Sequence, residues 1–265
     1  NKVYAYIELT KPRIAYMVLV TAYLGYYLGL RSQGDHMSSF NSWIVLLYLV
    51  IGTWATSAGA SVLNQVIERE YDAKMPRTKK RPIVQGKVSP KQAMIFGLFL
   101  SFLGYGLLYY LVNPISAWIS AGTILLYILI YTPSKRFSTW NTFIGSIPGA
   151  LPPVGGWVAA TGSLAPPAWI LFGILFCWQM PHFLSIAIIY SADYKKGGFK
   201  MLPTIYPESN RTSYVILFFS IALLITSLGL YLLEVGGLFY AIAAAILGVA
   251  FFMVALKVII ESNKK

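Results

Sequence analysis

The 265-residue chain carries a net charge of +12, yet only 11% of its residues are charged and 57% are hydrophobic. A soluble domain usually devotes about 25% of its residues to charge, so this composition excludes a water-soluble globular protein. The single cysteine, Cys177, also excludes a disulfide framework and a cysteine metal cluster. We therefore expect an all-α fold, a polytopic transmembrane helical bundle that forms one membrane-embedded domain over residues 1–265.

Apolar stretches long enough to cross a bilayer recur along the chain. A hydrocarbon core of about 30 Å requires roughly 20 apolar residues in a helix. The apolar runs predict eight spans, near residues 14–30, 43–66, 92–112, 115–132, 141–160, 167–190, 213–233 and 236–258. Proline and glycine mark the turns between them, because proline lacks a backbone donor and glycine adopts unusual dihedrals.

The distribution of lysine and arginine agrees with this count of spans. An even number of spans places five segments on one side of the membrane: the N-terminus, the connections after spans two, four and six, and the C-terminus. Every basic residue except Arg31 falls in or next to these segments. Cytoplasmic loops of membrane proteins carry such an excess. The charge therefore indicates an orientation with the N-terminus and the long polar loops in the cytoplasm. Nucleic-acid binding is a poor alternative, because no basic aromatic domain lies outside the spans.

The second span ends in a stripe of oxygen-bearing side chains. Asn64, Glu68 and Asp72 follow one another at intervals of four, so they lie along one face of a helix. Carboxylate and amide oxygens suit Mg²⁺, which proteins usually hold with one or two carboxylates and phosphate oxygens of a substrate. The alternative is a helix end whose acids are merely solvated.

A dense basic run over residues 74–82 follows this stripe directly. It includes Arg77, Lys80 and Arg81, whose side chains can surround an anion with fixed positive charge. Alone, such a run would more often be an anchor that touches anionic lipid. Because the acids and the bases are adjacent, we favour a site for a metal-bridged diphosphate.

A second candidate region begins at the end of the fourth span. Tyr131, Lys135, Arg136 and Asn141 precede a series of glycines and prolines that ends at Trp157. So many helix breakers within a span predict a distortion supported by neighbouring helices or by a lined cavity. A large flat ligand and a kinked packing helix are equally compatible with this segment.

The third candidate region lies at the end of the sixth span. Trp178 and His182 fall within the span, and Asp193 and Tyr194 follow it. A lone histidine at membrane depth is more often a packing residue than a ligand, although ionisable groups there carry a functional presumption. Asp193 is a candidate to supply an oxygen to a second metal or a bound water.

These regions resemble the UbiA-type intramembrane aromatic prenyltransferases, whose first acidic motif, NxxxDxxxD, appears here as Asn64, Glu68 and Asp72. The matching stretches lie within residues 64–82, 131–136, 141–157 and 178–203. Within that superfamily they are most similar to the protohaem IX farnesyltransferases, also called haem O synthases. This chain departs from the wider superfamily by having Glu68 in place of aspartate and by lacking the second acid of the DxxxD motif, and the haem O synthases share both departures.

The resemblance implies farnesyl transfer from farnesyl diphosphate to a vinyl group of haem B, with addition of water, which gives haem O for terminal oxidase assembly. It implies that Mg²⁺ is held by Asn64, Glu68, Asp72 and Asp193. It also implies that further residues bind the substrates, either the diphosphate or the apolar groups. These residues are Arg77, Lys80, Arg81, Tyr131, Lys135, Arg136, Asn141, Trp157, Trp178, His182 and Tyr194.

The resemblance also implies a multi-pass protein of the cell inner membrane, with haem A synthase or oxidase assembly factors as candidate protein partners and no nucleic acid. The family has nine spans, so a ninth is expected beyond the eight counted before Lys265.

Three alternatives stay open. A prenyltransferase acting on a quinone-precursor aromatic acid or a chlorophyll-type ring requires a small aromatic-acid pocket. A transporter would place its polar site near the midplane between repeated halves, which this sequence does not indicate. A carrier of haem or lipid has no use for an acidic stripe.

Overall fold

The computed structural model describes residues 2–207 and 209–262, and helices are the only regular secondary structure within them. A π-helical segment, Leu126–Tyr131, lies between the fifth and sixth α-helices. The α-helices are α1 Lys2–Leu9, α2 Pro12–Ser32, α3 Phe40–Asp72, α4 Pro90–Leu111, α5 Pro114–Leu125, α6 Thr132–Phe137, α7 Asn141–Ala150, α8 Pro152–Thr161, α9 Pro166–Ile189, α10 Ser191–Gly197, α11 Leu202–Ile205, α12 Arg211–Leu232 and α13 Leu238–Ser262. The predicted all-α class is confirmed.

Seven helices of the described residues are long and apolar enough to cross a membrane. They are Pro12–Ser32, Phe40–Asp72, Pro90–Leu111, Pro114–Phe137, Pro166–Ile189, Arg211–Leu232 and Leu238–Lys257. Each contains most of one predicted span. The chain is therefore a multi-pass membrane protein.

The fifth predicted span, 141–160, is not one continuous helix. It consists of α7 and α8, each ten residues long, which meet at Leu151. Ten residues rise about 15 Å, only about half of a hydrocarbon core, so neither helix crosses alone. The break arises because Pro152 and Pro153 lack backbone donors and their rings crowd the preceding turn. The predicted distortion of this segment is thus confirmed.

Small residues let the broken segment approach its neighbour closely. Helix α8 packs along α2, and a Cβ added at Gly156 would overlap the carbonyl oxygen of Ala22. A Cβ added at Gly25 would likewise overlap the carbonyl oxygen of Pro153. Membrane helices commonly pack through small residues, because lipid provides no hydrophobic drive for their association.

The turn between α1 and α2 is fixed from α3. The side-chain amide of Gln65 donates to the carbonyl oxygen of Leu9 at 2.8 Å, and Leu9 is fully buried. Lys11 then adopts a left-handed conformation with φ 49° immediately before Pro12, the first residue of α2. An L-residue adopts this conformation only at some cost, so the surrounding packing holds Lys11 in place.

Candidate active site

The oxygen-bearing stripe lies at the end of α3 and is buried. Asn64, Glu68 and Asp72 are 1%, 4% and 1% exposed, and their spacing places all three on one helix face. Ionisable side chains are costly away from water unless they are paired. Each of the two acids is in fact paired with a base from another part of the chain.

The two ion pairs connect the stripe to the basic segments. Nζ of Lys135 lies 2.8 Å from Oε1 of Glu68 and links α6 to α3. A guanidinium nitrogen of Arg81 lies 2.5 Å from Oδ2 of Asp72 and links α3 to the loop that follows it. The predicted acids and bases therefore meet in one place.

The π-helical segment is also connected to the stripe. The backbone N–H of Thr132 donates to the carbonyl of Tyr127, five residues earlier, and its hydroxyl donates to the same carbonyl at 2.8 Å. The amide nitrogen of Asn64 in turn donates to the Thr132 hydroxyl at 3.0 Å. Pro133 favours the wider turn, because it lacks a donor for the carbonyl of Leu129 and its ring crowds that carbonyl.

These groups surround a cavity of about 90 Å³ at one end of the bundle. Its wall includes four basic side chains, two acidic side chains and several aromatic rings. The lining residues are Lys11, Asn64, Glu68, Asp72, Met75, Arg77, Thr78, Arg81, Tyr127, Tyr131, Lys135, Tyr194, Phe199 and Met201. The excess of basic over acidic groups makes the cavity suitable for a polyvalent anion.

Arg77 is oriented by aromatic side chains that follow α9. Its guanidinium carbon lies 4.8 Å from the ring centroid of Tyr190 and 5.3 Å from that of Tyr194. One guanidinium nitrogen also donates to the Tyr194 hydroxyl at 3.2 Å. Such contacts leave part of the guanidinium fork for an anion while they restrict the side chain's rotation.

The donor set fits a hard cation such as Mg²⁺. Oδ1 of Asp72 is buried and has no hydrogen-bond partner within the described part of the chain. Oδ2 of Asp72 and Oε1 of Glu68 face cations, and the amide of Asn64 has an oxygen as well as the nitrogen that binds Thr132. Among residues 2–207 and 209–262, no three histidine, cysteine, aspartate or glutamate side chains are placed so that together they could hold a metal ion. A cation here would therefore need the amide oxygen or oxygens of a substrate.

Three of the predicted basic and polar residues lie outside the cavity wall. Lys80 is exposed. Arg136 is half-buried, lies 4.0 Å from the ring centroid of Tyr71 and donates to a backbone carbonyl of α3. Asn141 is fully buried and donates to two backbone carbonyls.

Four further predicted residues are also absent from the cavity wall. Trp157 is buried among apolar side chains near the start of α9, whereas the cavity adjoins the segment after the end of α9. Trp178 and His182 are exposed, and their rings stack with centroids 4.7 Å apart. Asp193 is half-buried in the first turn of α10. Their assigned roles stay predictions.

Six residues of the cavity wall are not among the site residues predicted from the sequence: Lys11, Met75, Thr78, Tyr127, Phe199 and Met201. Lys11 had been counted only among the orienting charges, although it directly precedes a span on the basic side. Tyr127 lies one helical turn before Tyr131, so its place on the same helix face could have been predicted from the sequence. Phe199 gave no signal, because its position depends on a loop between two helices.

Lys11 is expected to make stability depend on pH. Burial, followed by the charges of Arg81 and Lys135, lowers its pKa from 10.5 to about 7. Between these values the unfolded chain binds the additional proton, so the free energy of unfolding rises as the pH rises from about 7. The expected gain is about 1 kcal/mol per pH unit. It is measured from thermal unfolding of the purified protein at pH 7, 8 and 9.

The matched comparison is Lys11→Met, which removes the titrating group and keeps a long apolar side chain. We expect the pH-dependent gain in stability, relative to pH 7, to be smaller in this variant. Parallel pH profiles for the two proteins would contradict the lowered pKa.

Comparison with known proteins identifies the family of this chain. The model of the UbiA prenyltransferase family matches residues 18–265. The protoheme IX farnesyltransferase of Solibacter usitatus is 42% identical over 258 residues, covering 97% of this chain and 88% of that protein. The protoheme IX farnesyltransferase of Salinibacter ruber is 40% identical over 246 residues, covering 93% of this chain and 84% of that protein.

A solved structure shares the fold. The UbiA homologue from Archaeoglobus fulgidus bound to DMAPP and Mg²⁺ is similar with a TM-score of 0.70 and 18% sequence identity, over 98% of this chain and 87% of that one. The family match spans most of the sequence, and the predicted first acidic motif lies within it. The chain therefore belongs to the UbiA prenyltransferase family.

Proposed function

We propose that this chain transfers a farnesyl group from farnesyl diphosphate to a vinyl group of haem B, with addition of water, and so forms haem O. The observation that carries the transfer is the cavity in which Glu68 and Asp72 lie among four basic side chains. The choice of haem as acceptor is supported by relatives that are about 40% identical over most of their length and are named protoheme IX farnesyltransferases.

Asn64, Glu68 and Asp72 would hold Mg²⁺, which supplies positive charge to the diphosphate when it is bound. The unpartnered Oδ1 of Asp72 supports this assignment. Asp193 is kept as a candidate for a further oxygen ligand, from the connection between α9 and α11. The DMAPP and Mg²⁺ bound by the Archaeoglobus homologue agree with such a site.

The basic side chains would stabilise the departing diphosphate. The bond between the first farnesyl carbon and the diphosphate oxygen breaks, and its electron pair leaves with the diphosphate. Arg77, Arg81, Lys135 and Lys11 line the space where this negative charge develops. Preorganised positive groups stabilise such a transition state more than the substrate, because the charge on the leaving oxygen grows as the bond breaks.

The aromatic wall would stabilise the other fragment. The faces of Tyr127 and Tyr131 attract a cation by their quadrupole, and both rings line the cavity. The vinyl π electrons of haem then form the new carbon–carbon bond. Water adds to the resulting cation and releases a proton, which completes the hydroxyethylfarnesyl group.

We place this site at the cytoplasmic side of the cell inner membrane. All basic residues except Arg31 fall in the segments that share the cavity's side in the predicted topology, as is usual for cytoplasmic loops. Haem A synthase and oxidase assembly factors are proposed protein partners, because the product must be passed to later steps.

One assay tests the proposal. Purified protein is incubated with haem B, farnesyl diphosphate and Mg²⁺. The haems are then separated by chromatography, and their masses are measured by mass spectrometry. We expect a more hydrophobic haem whose mass has increased by one farnesyl group and one hydroxyl group, and no such product after chelation with EDTA. Prenylation of 4-hydroxybenzoate without any new haem would instead identify a quinone-precursor enzyme.

A further inference from the structure

The loop between α10 and α11 forms one wall of the cavity. Residues 198–201, here called the strap, carry Phe199 and Met201, which are 3% and 5% exposed and line the cavity beside Lys135. The ring of Phe199 lies 5.7 Å from that of Tyr71, and Nζ of Lys135 lies 5.8 Å from its centroid. The strap thus contributes apolar surface directly next to the charged groups.

The backbone of Lys200 attaches the strap to both α6 and α7. Its N–H donates to the carbonyl of Lys135 at 2.7 Å. Its carbonyl accepts a hydrogen bond from the side-chain amide of Asn141 at 2.8 Å. Both backbone polar groups of Lys200 are therefore hydrogen-bonded. These bonds fix the backbone whose neighbouring side chains, Phe199 and Met201, line the cavity.

The amide nitrogen of Asn141 is fully used within the protein. It donates to the carbonyl of Ser138 at 2.6 Å as well as to that of Lys200, and an amide nitrogen has two hydrogens to donate. The side chain is 0% exposed and does not line the cavity. Asn141 therefore has no free donor for a substrate.

We propose that Asn141 is a positioning residue that fixes the strap and thereby sets the affinity of the cavity for a prenyl diphosphate. This inference rests on the proposed function only for the identity of that substrate. When the strap is held, Phe199 and Met201 complete the wall and exclude water from the anion. When Asn141 cannot donate, the closed strap is populated for a smaller fraction of the time, and the apparent dissociation constant rises by the reciprocal of that fraction.

The experiment compares Asn141→Asp with Asn113→Asp. Each variant keeps the size of the side chain, replaces a donating nitrogen with oxygen and adds one negative charge. Asn113 is a matched control, because its nitrogen donates to the carbonyl of Val158 at 2.9 Å while its oxygen caps α5, away from the cavity. The loss of two hydrogen bonds predicts about a thirtyfold shift of the strap's closing equilibrium toward the open state in Asn141→Asp.

The first measurement needs no turnover. Trypsin cleaves after the exposed Lys200 of the strap, and the rate of that cleavage in folded protein follows the population of the open strap. We expect cleavage there to be about tenfold faster in Asn141→Asp, unchanged in Asn113→Asp, and slowed in every protein by farnesyl diphosphate with Mg²⁺. Equal cleavage in the two variants would overturn the proposal. A failure of the proposed acceptor chemistry would leave this result intact.

The second measurement is steady-state kinetics with farnesyl diphosphate. The change in the closing equilibrium is the product of the rise in the open fraction and the fall in the closed fraction. A tenfold rise in the open fraction therefore leaves about a threefold fall in the closed fraction, and we expect KM to rise about threefold in Asn141→Asp. We expect kcat to be nearly unchanged, because the closed complex itself is unaltered. A fall in kcat at constant KM would contradict a positioning role.

Gly198→Ala provides an independent variant if Asn141→Asp does not fold. Gly198 has φ 72°, which disfavours alanine, and an added Cβ would meet no atom within 4 Å. The control is Gly162→Ala, with φ 71° and equally open surroundings, at the end of α8. Faster cleavage of the strap in Gly198→Ala alone is expected, and equal cleavage in both alanine variants would count against the strap's role.

Discussion

Replacing Asp72 by asparagine is expected to reduce turnover by about 10²- to 10³-fold, the range seen when a single preorganised electrostatic group is removed from an active site. The substitution keeps the shape of the side chain but removes its negative charge, so the proposed Mg²⁺ loses a ligand and Arg81 loses its ion-pair partner. Product formation is measured with saturating haem B and farnesyl diphosphate over a series of Mg²⁺ concentrations.

The matched control is Glu70→Gln on the same helix. Glu70 is exposed, and the ion pair it makes within the described residues is with its neighbour Arg69 at 3.0 Å. Exposed pairs of this kind contribute little. We expect Glu70→Gln to keep full turnover and Asp72→Asn to be purified as a folded helical protein in similar yield. Undiminished turnover of Asp72→Asn at every Mg²⁺ concentration would refute its role as a metal ligand.

Replacing Lys135 by methionine is expected to lower the free energy of unfolding by about 3 kcal/mol, because it leaves the carboxylate of Glu68 buried without its partner. The side chains of Lys135 and Glu68 are only 13% and 5% exposed. Nζ of Lys135 also lies 4.5 Å from the ring centroid of Tyr131, a second contact that the substitution removes. Stability is measured from thermal unfolding of the detergent-solubilised protein by circular dichroism.

A double variant separates stability from activity. Combining Lys135→Met with Glu68→Gln removes both charges, so we expect it to recover most of the stability lost in Lys135→Met. Turnover should stay at background, because a proposed metal ligand and a proposed anion-binding group are both absent. Glu68→Gln is also measured alone, and if the stability losses of Lys135→Met and Glu68→Gln simply add in the double variant, the ion pair does not hold these helices together.

The sequence predicted the parts of the site that depend on local spacing. Asn64, Glu68 and Asp72 share a face because intervals of four residues align on any α-helix, whatever surrounds it. The spans were predictable for a similar reason, since a run of about 20 apolar residues has few alternatives to crossing the membrane. The span predicted over 141–160 lies where expected, but it is two helices rather than one. The prolines at 148, 152 and 153 interrupt the backbone hydrogen bonds.

The remaining parts of the site depend on tertiary contacts. Lys11 reaches the cavity because Gln65 fixes the end of α1 and because Lys11 accepts a left-handed conformation, neither of which a charge pattern reveals. Asn141 acts on the backbone of Lys200, and a backbone group has no signature in the sequence. Trp157 was selected for its aromatic ring, but packing near the start of α9 determines where that ring lies.

In the π-helical segment Leu126–Tyr131, the number of residues matters more to the cavity wall than the identity of those residues. Leu129 and Ile130 are exposed there, so exchanges among apolar residues change little. An insertion of one residue is different, because this turn already holds one residue more than an α-helical turn and a further residue would rotate every later side chain of that crossing by about 100° around the helix axis. Thr132 and Lys135 would then point away from Asn64 and Glu68, so homologous chains are expected to vary in composition there without being longer.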